Sequence, residues 1–195
     1  YWIYGEIFID DYQIEKKSRS DNEPNEIAFI VGNEIYDPII NHTSVSLEYA
    51  RVNNWTYNQA HPYNRYVNYN FPIGYPTGPD ADLLDLQVSW WASRSIKISY
   101  LSNFKRQGEG RIDTPWTWPW MNVDNYSEKF PSGVVEKTLQ NGVEVLALNK
   151  KGFWGKFKCV FSDIDNVGNS PGRTHKEGEL ILNIGYNLLR RGWEI

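Results

Sequence analysis

The amino-acid sequence predicts an all-β chain: an antiparallel up-and-down β-barrel, or a consecutive part of one, with about eight strands and long loops at one rim. Two observations predict this fold class. About half of the 195 residues lie in segments that alternate apolar and polar side chains, which is the period of a strand with two different faces. The connections between these segments also alternate between long and short. We treat residues 1–195 as a single β-barrel segment, and the strand patterns that reach both ends favour a fragment of a larger barrel.

The first three strands are predicted where apolar residues recur at every second position. In the segment YWIYGEIFIDD, the side chains of Ile3, Ile7 and Ile9 share one face. The segments EIAFIVGNEIYD and SVSLEYARVNN repeat this pattern after polar connections. In order, the eight predicted strands cover residues 1–11, 26–37, 44–54, 83–92, 95–104, 133–148, 153–164 and 178–189.

The later strands follow a long aromatic segment. The segments LLDLQVSWWA and SIKISYLSNF are separated only by Ser93-Arg94-Ser95, which predicts a tight hairpin. In GVVEKTLQNGVEVLAL, the dipeptide Asn141-Gly142 is a strong signal for a hairpin turn. The alternation continues through it, so one strand is predicted rather than two. The C-terminal segment LRRGWEI has the pattern of a turn followed by the start of a further strand.

The lengths of the connections favour a barrel of the outer-membrane type. Such barrels have short turns at one rim and longer external loops at the other, and a turn at Asn141-Gly142 would break the alternation. The connections are medium at 16–25, short at 37–43, long at 55–82, tight at 93–95, long at 106–132, tight at 149–152 and medium at 166–177.

The two faces of the predicted strands have different chemistry. One face is mostly aliphatic or aromatic, whereas the other carries charges of both signs, among them Glu48, Lys97, Glu144 and Lys158. A transmembrane barrel would turn the charges toward a polar lumen, and a soluble barrel would invert the arrangement. The alternation alone does not distinguish the two, but the loop pattern and the aromatic residues near strand ends favour the membrane version.

Composition excludes several other classes of function. The net charge of −4 argues against a nucleic-acid surface. Cys159 is the only cysteine, which excludes an intramolecular disulfide and a cysteine zinc cluster. His42, His61 and His175 lie on separate predicted connections without the spacing of a metal site. No metal or other cofactor is therefore predicted, and no apolar run is long enough for a transmembrane helix.

The connection at 55–82 is the best candidate for ligand contact. Aromatic residues form 15% of the chain, with nine Trp and thirteen Tyr; such a surplus suits sugar-binding surfaces, the aromatic belts of membrane proteins, or a packed core. Four prolines and two glycines make this connection irregular. The candidate sugar-binding residues are Trp55, Tyr57, His61, Tyr63, Arg65, Tyr66, Tyr69, Asp80, Arg106, Trp116 and Trp118.

Carboxylates and arginines beside the long connections have both a chemical and a structural interpretation. Asp80 and Asp82 could form the carboxylate pair of a glycosidase, but a turn cap at Asp80 and a strand entry at Asp82 are favoured, so no catalytic residue is predicted. Arg51 and Arg106 could bind an acidic sugar or form an ion pair with a carboxylate such as Glu48 or Asp80, and the ion pair is favoured.

The segment EYARVNNWTYNQAHPYNRYVNYNFPIGYPTGPDADLL resembles the capsule-assembly (Wzi-type) outer-membrane family and its uncharacterised bacterial relatives. The shared pattern is E-Y-x-R-x-N, then W-T-Y, an aromatic loop, a glycine, and G-P-D-A-D at the entry to the next strand. GEIFIDDYQIE, and GVVEKT followed by DNVGNSPGR, also fit. The resemblance implies a large plugged barrel, closed to solutes, in the outer membrane of a Gram-negative bacterium, where it holds capsular polysaccharide as a lectin does. No segment here resembles the helical plug of such proteins.

These observations lead to one principal expectation and two alternatives. The chain is expected to be a non-enzymatic outer-membrane protein that binds, anchors or helps to assemble surface polysaccharide. Its partners would be capsular or other surface polysaccharide and the lipid bilayer, with no nucleic acid. The first alternative is a soluble, aromatic-rich β-domain that binds or hydrolyses carbohydrate, and the second is a channel for small solutes.

Overall fold

A computed structural model describes residues 1–14, 17–69, 71–124 and 126–187. Apart from short 3₁₀ helices at Arg19–Asn22, Pro62–Asn64, Pro119–Asn122 and Val167–Asn169, the regular structure of these residues is all β. The strands are β1 (Trp2–Asp11), β2 (Glu26–Tyr36), β3 (Thr43–Val52), β4 (Val67–Asn68), β5 (Phe71–Pro72), β6 (Ala81–Ser93), β7 (Ile96–Gln107), β8 (Glu136–Leu148), β9 (Phe153–Asp165) and β10 (Thr174–Tyr186).

Eight long strands form one antiparallel up-and-down sheet, which confirms the predicted fold class. Their order is β1-β2-β3-β6-β7-β8-β9-β10, so each strand lies beside the next long strand of the chain. The sheet is open: within the described residues, β1 pairs only with β2, and β10 only with β9. The strands β4 and β5 form a separate small ribbon.

Strand β8 runs straight through Asn141-Gly142, as the alternation predicts. Both residues pair with β7 on one side and with β9 on the other. A Cβ atom at Gly142 would lie 2.8 Å from the carbonyl oxygen of Cys159. This glycine therefore permits a close approach of two strands, and it does not form a turn.

The register of the strands separates two faces, which we call the apolar face and the polar face. On the apolar face, Val45, Val88, Tyr100, Val143 and Cys159 form one row across neighbouring strands. The polar face carries the row Glu48, Asp85, Asn103, Gln140 and Ser162. These rows match the partition that the alternation predicts.

The connections confirm the predicted alternation of long and short. We name the four longer ones loop 1 (12–25), loop 2 (53–80), loop 3 (108–135) and loop 4 (166–173). They lie at one rim of the sheet, and the short turns lie at the other. Loop 2 is not structureless, because it contains a 3₁₀ helix and the β4–β5 ribbon.

The sequence placed the start of the last strand too late. Strand β10 begins at Thr174 because its first residues pair with β9 as far as Asp165. The part of β10 predicted at 188–189, and the further strand predicted in LRRGWEI, lie outside the described residues.

The buried apolar cluster lies at the loop rim. Ala28 and Val52 of the polar face pack there with Tyr57 of loop 2, and Phe8 and Tyr75 are partly buried against them. Burial of apolar side chains in this sheet is therefore concentrated at the loop rim.

Candidate functional site

The four loops are joined to one another by side-chain hydrogen bonds, and together we call them the loop layer. Asn22 of loop 1 donates from Nδ2 to the carbonyl oxygens of Val123 and Asp124 in loop 3, each at 3.1 Å. Asn169 of loop 4 donates from Nδ2 to the Val134 carbonyl of loop 3 at 2.6 Å. These bonds satisfy backbone carbonyls that no strand pairs, so the layer is a folded unit.

Asp80 joins loops 2 and 3 from a fully buried position. Its Oδ1 accepts the backbone N–H of Ser132 at 2.9 Å. Its Oδ2 accepts the N–H of Gly110 at 2.8 Å and the hydroxyl of Ser132 at 2.6 Å. A Cβ atom at Gly108 would lie 2.0 Å from the same Oδ2. The prediction of a local turn cap is therefore corrected, because the carboxylate binds a loop about fifty residues away.

A tryptophan cluster also holds loop 2 against loop 3. Trp55 packs edge-on against Trp116 and Trp120, with ring centroids 5.0 and 5.6 Å apart. Trp116 and Trp120 pack edge-on against each other at 5.7 Å. Trp55 and Trp120 are buried. Two predicted sugar-binding residues, Trp55 and Trp116, thus use their aromatic surface to join the loops.

Glu128 of loop 3 lies beside this cluster and binds loop 2. Its Oε1 accepts a hydrogen bond from Nδ2 of Asn54 at 2.7 Å and one from the Tyr126 hydroxyl at 3.2 Å. Burial raises the pKa of the Glu128 carboxyl. Burial and the neighbouring Glu128 raise the pKa of Tyr126 to about 12. The site therefore keeps the phenol protonated as a donor.

Loop 2 folds back over the polar face of the first three strands. The Tyr57 hydroxyl accepts the backbone N–H of Tyr75 at 3.2 Å, and the Tyr75 hydroxyl donates to Oε1 of Glu48 on β3 at 3.0 Å. On β1, the Tyr4 hydroxyl donates to Oε2 of the same carboxylate at 2.5 Å. Beneath this segment, a cavity of about 270 Å³ is lined by Phe8, Tyr57, Tyr66 and Tyr75, among other residues.

A larger cavity, of about 480 Å³, lies between loops 2 and 3. Arg65 lines it from loop 2, and Arg111 lines it from loop 3. The other lining residues are Pro72, Pro76, Thr77, Gly78, Pro79, Gln107, Ile112 and Asp113.

Several candidate sugar-binding residues present their side chains to solvent. His61 and Tyr63 stack with ring centroids 5.4 Å apart and planes inclined by 14°. Tyr63 and Tyr69 are 81% and 90% exposed, and Trp118 is 45% exposed. These rings are free to stack on a sugar. Tyr66 lines the smaller cavity, and Arg65 lines the larger one.

The remaining candidates are used within the protein. Trp55, Tyr57 and Asp80 are buried, and Trp116 belongs to the tryptophan cluster. Arg106 forms a bidentate pair with Asp82, with its Nε 2.9 Å from Oδ1.

The predicted partners of the arginines need correction. Arg106 binds Asp82 and not Asp80 or Glu48. Arg51 donates from Nε to Oδ1 of Asn53 at 2.9 Å and lies 3.7 Å over the ring of Phe130. Glu48 could not pair with Arg51 because the two residues are three positions apart on β3, and side chains an odd number of positions apart on a strand lie on opposite faces.

Sequence reasoning did not single out Arg111, Tyr75, Trp120 or Asn169. Their roles arise from contacts between loops, which no local pattern reveals. In the described residues, no three His, Cys, Asp or Glu side chains come together as metal ligands.

The chain matches no protein-family model, and no curated protein or solved structure gives a match. None of the helices in the described part of the chain is long and apolar enough to span a membrane.

Proposed function

We propose that this chain forms part of the wall of a bacterial outer-membrane barrel and that its loop layer binds or anchors surface polysaccharide without catalysing a reaction. The observation that carries the proposal is the exposed apolar face of the sheet. On β10, for example, Leu182 and Ile184 are 67% and 74% exposed. Exposure of this apolar face to water would be unfavourable by about 25 cal/mol for each Å² of apolar surface. Contact with lipid would remove that cost.

The distribution of charge along the apolar face supports a membrane boundary at the loop rim. There a row of charged residues crosses the strands: Arg51, Asp82, Arg106, Lys137 and Asp165. Headgroups and water accommodate such a row, whereas hydrocarbon does not. The rows nearer the turns are mostly apolar.

Aromatic residues and strand length agree with this boundary. Tyr49 and Phe104 lie one row below the charged row, and Trp90 and Phe153 lie toward the turns. Aromatic girdles at both interfaces are typical of transmembrane barrels. Four of the strands contain 13 residues, more than the roughly 9–11 needed by a tilted strand.

The loop layer supports polysaccharide binding through its exposed rings. Tyr63, Tyr69 and Trp118 offer flat apolar area with polar edges, which suits the faces of pyranose rings. A non-catalytic role is supported by the carboxylates Asp80 and Asp82, since both are buried and bound by protein donors.

The native Cys159 tests the membrane orientation. It lies on the apolar face beside Val143 and Leu180. We would attach a nitroxide to it in the full chain, reconstituted into liposomes, and compare collisions with oxygen and with a water-soluble nickel chelate. The control is Lys158→Cys in a Cys159→Ser background, because residue 158 lies on the polar face.

We expect oxygen to dominate at residue 159 and the nickel chelate to have greater access at residue 158. Equal nickel access at both positions, or a monodisperse chain without detergent, would favour the soluble β-domain instead.

Polysaccharide binding is tested separately, with surface polysaccharide extracted from the source bacterium. Calorimetry on the detergent-purified chain should detect binding, and the double variant Tyr63→Ala, Tyr69→Ala should weaken it at least tenfold. Stacking of one nucleic-acid base on an aromatic side chain is typically worth about 1–3 kcal/mol, and we expect a similar value for one sugar ring. Tyr36→Ala, on an exposed ring at the opposite rim, is the matched control. Equal losses in both variants would contradict the proposed site.

A further inference from the structure

We propose that the cavity between loops 2 and 3 binds the carboxylate of an acidic sugar, with Arg65 and Arg111 as the two cationic ligands. This inference rests on the proposed function and narrows its ligand to polysaccharides that contain uronic acid. The cavity, of about 480 Å³, lies within the volume range of small-ligand sites.

The guanidinium of Arg65 carries a positive charge that no described carboxylate pairs with. The side chain is half-buried. Its Nε atom is buried and has no hydrogen-bond acceptor among the described residues. No ion pair joins Arg65 to any described residue. A half-buried guanidinium without a counter-charge is unfavourable, and an anionic ligand in the cavity would supply that counter-charge.

Arg111 is held in position while part of its hydrogen-bonding capacity stays unused. Its Nη1 donates to the carbonyl oxygens of Gly108 and Gly110 at 2.6 and 2.8 Å, and its Nη2 donates to Oδ1 of Asn169 at 2.6 Å. A guanidinium has five donor hydrogens, so the described residues leave two of them free. Neutral carbonyl groups fix this side chain, and no carboxylate in the described part of the chain pairs with its charge.

The charge of the lining favours an anion. Arg65 and Arg111 contribute +2, and Asp113 is the single lining carboxylate, so the sum is +1 in a chain whose net charge is −4. Asp113 is exposed and forms no ion pair with either arginine. A planar carboxylate fits the fork of a guanidinium.

The rest of the lining suits a sugar ring. Pro72, Pro76 and Pro79 supply rigid apolar surface, and Thr77 and Gln107 supply polar groups. Apolar walls with a few fixed polar groups are typical of sites for small ligands. Together with the arginines, they favour an anionic sugar over an inorganic anion.

The test compares pentameric oligogalacturonate with its methyl ester, which is the same chain without charge. Calorimetry on the full chain in detergent should detect the acid, and the ester should bind at least tenfold more weakly. Arg65→Gln and Arg111→Gln should each weaken binding of the acid about tenfold or more, since a hydrogen bond to a charged group is being lost. Arg65→Lys should give an intermediate loss because it keeps the charge but not the fork.

Asp113→Asn is the matched control because it removes a negative charge from the lining, whereas the Gln variants of the arginines remove a positive one. Removing this carboxylate should leave binding of the acid unchanged or tighten it a few-fold. Arg65→Gln should preserve the protease-resistance pattern of the loops, because the Arg65 side chain makes no hydrogen bond or ion pair with any described residue.

Three results would overturn the inference: no binding of the acid at millimolar concentration, equal binding of acid and ester, or an Arg65→Gln variant with unchanged affinity. Competition by inorganic phosphate at the same concentration as the acid would reduce the site to a general anion site. If the extracted surface polysaccharide still binds, only this inference fails; if that polysaccharide does not bind either, the proposed function fails as well.

Discussion

Replacing Asp80 with asparagine should loosen the loop layer without disturbing the sheet. In the native protein, the two carboxylate oxygens accept three hydrogen bonds from Gly110 and Ser132. An asparagine keeps the size of the side chain but turns one acceptor into an NH₂ donor. If Oδ1 keeps the N–H of Ser132, the NH₂ group faces the N–H of Gly110, and the Ser132 hydroxyl can rotate to accept.

The expected magnitude follows from one buried N–H that loses its acceptor. Such a group costs about 1–3 kcal/mol, so the free energy of local opening should fall by about this amount. Asp80→Ala removes all three bonds and leaves both N–H groups without an acceptor, so at about 1–3 kcal/mol for each it should cost about 2–6 kcal/mol. The order of the two variants is therefore also predicted.

Hydrogen exchange at the amides of Gly110 and Ser132 measures this opening directly. Protection at both amides should fall about 5- to 150-fold in Asp80→Asn and further in Asp80→Ala, while amides of β8 keep their native protection. Asp113→Asn, at an exposed carboxylate in the same loop, serves as control. Unchanged protection at Gly110 in Asp80→Asn would refute the role assigned to this carboxylate.

Three further predictions concern the same layer. Burial raises the pKa of Glu128 above its ordinary value of 4.5, so protonation favours the folded loops, and proteolytic resistance should fall as the pH rises from about 4.5 through the folded-state pKa. Burial also raises the pKa of Glu23 and of Glu26, so Glu128→Gln should reduce this trend without removing it, and an equal trend in both proteins would contradict the prediction. Gly108→Ala should expose the layer to protease because its Cβ would lie 2.0 Å from Asp80 Oδ2, whereas Gly155→Ala, with nothing within 4 Å, should not. Trp120→Ala should lower the unfolding free energy of the layer by about 3–5 kcal/mol, measured by tryptophan fluorescence in urea, and a loss below 1 kcal/mol would argue against the cluster.

The sheet could be predicted from the sequence because its information is local. The alternation within each strand identifies its two faces, and a shift of the pairing register by one residue would exchange them. The same alternation identified β8 as one strand despite Asn141-Gly142, since the residues on both sides keep a common phase. The predicted start of β10 was wrong because pairing with β9 continues into a polar segment that has no alternation of its own.

The interior of the loop layer could not be predicted because its contacts join distant parts of the chain. Asp80 and Ser132 are 52 positions apart, and Trp55 meets Trp116 across another long interval. Composition marked the loop aromatics as a group, but it could not separate buried Tyr57 from exposed Tyr69. That separation depends on which face of a neighbouring loop each ring meets.

The division between buried and exposed aromatics has a consequence for binding. Buried residues such as Trp55 and Tyr57 fix the backbone of loop 2, so exposed Tyr63 and Tyr69 are carried on a segment that is already ordered. A ligand that meets an ordered segment pays less conformational entropy than one that must order it. Substitutions at the buried rings should therefore weaken binding by loosening the loop, with lower amide protection throughout loop 2. Substitutions at the exposed rings should weaken binding while leaving that protection unchanged, so the two measurements together separate anchoring from contact.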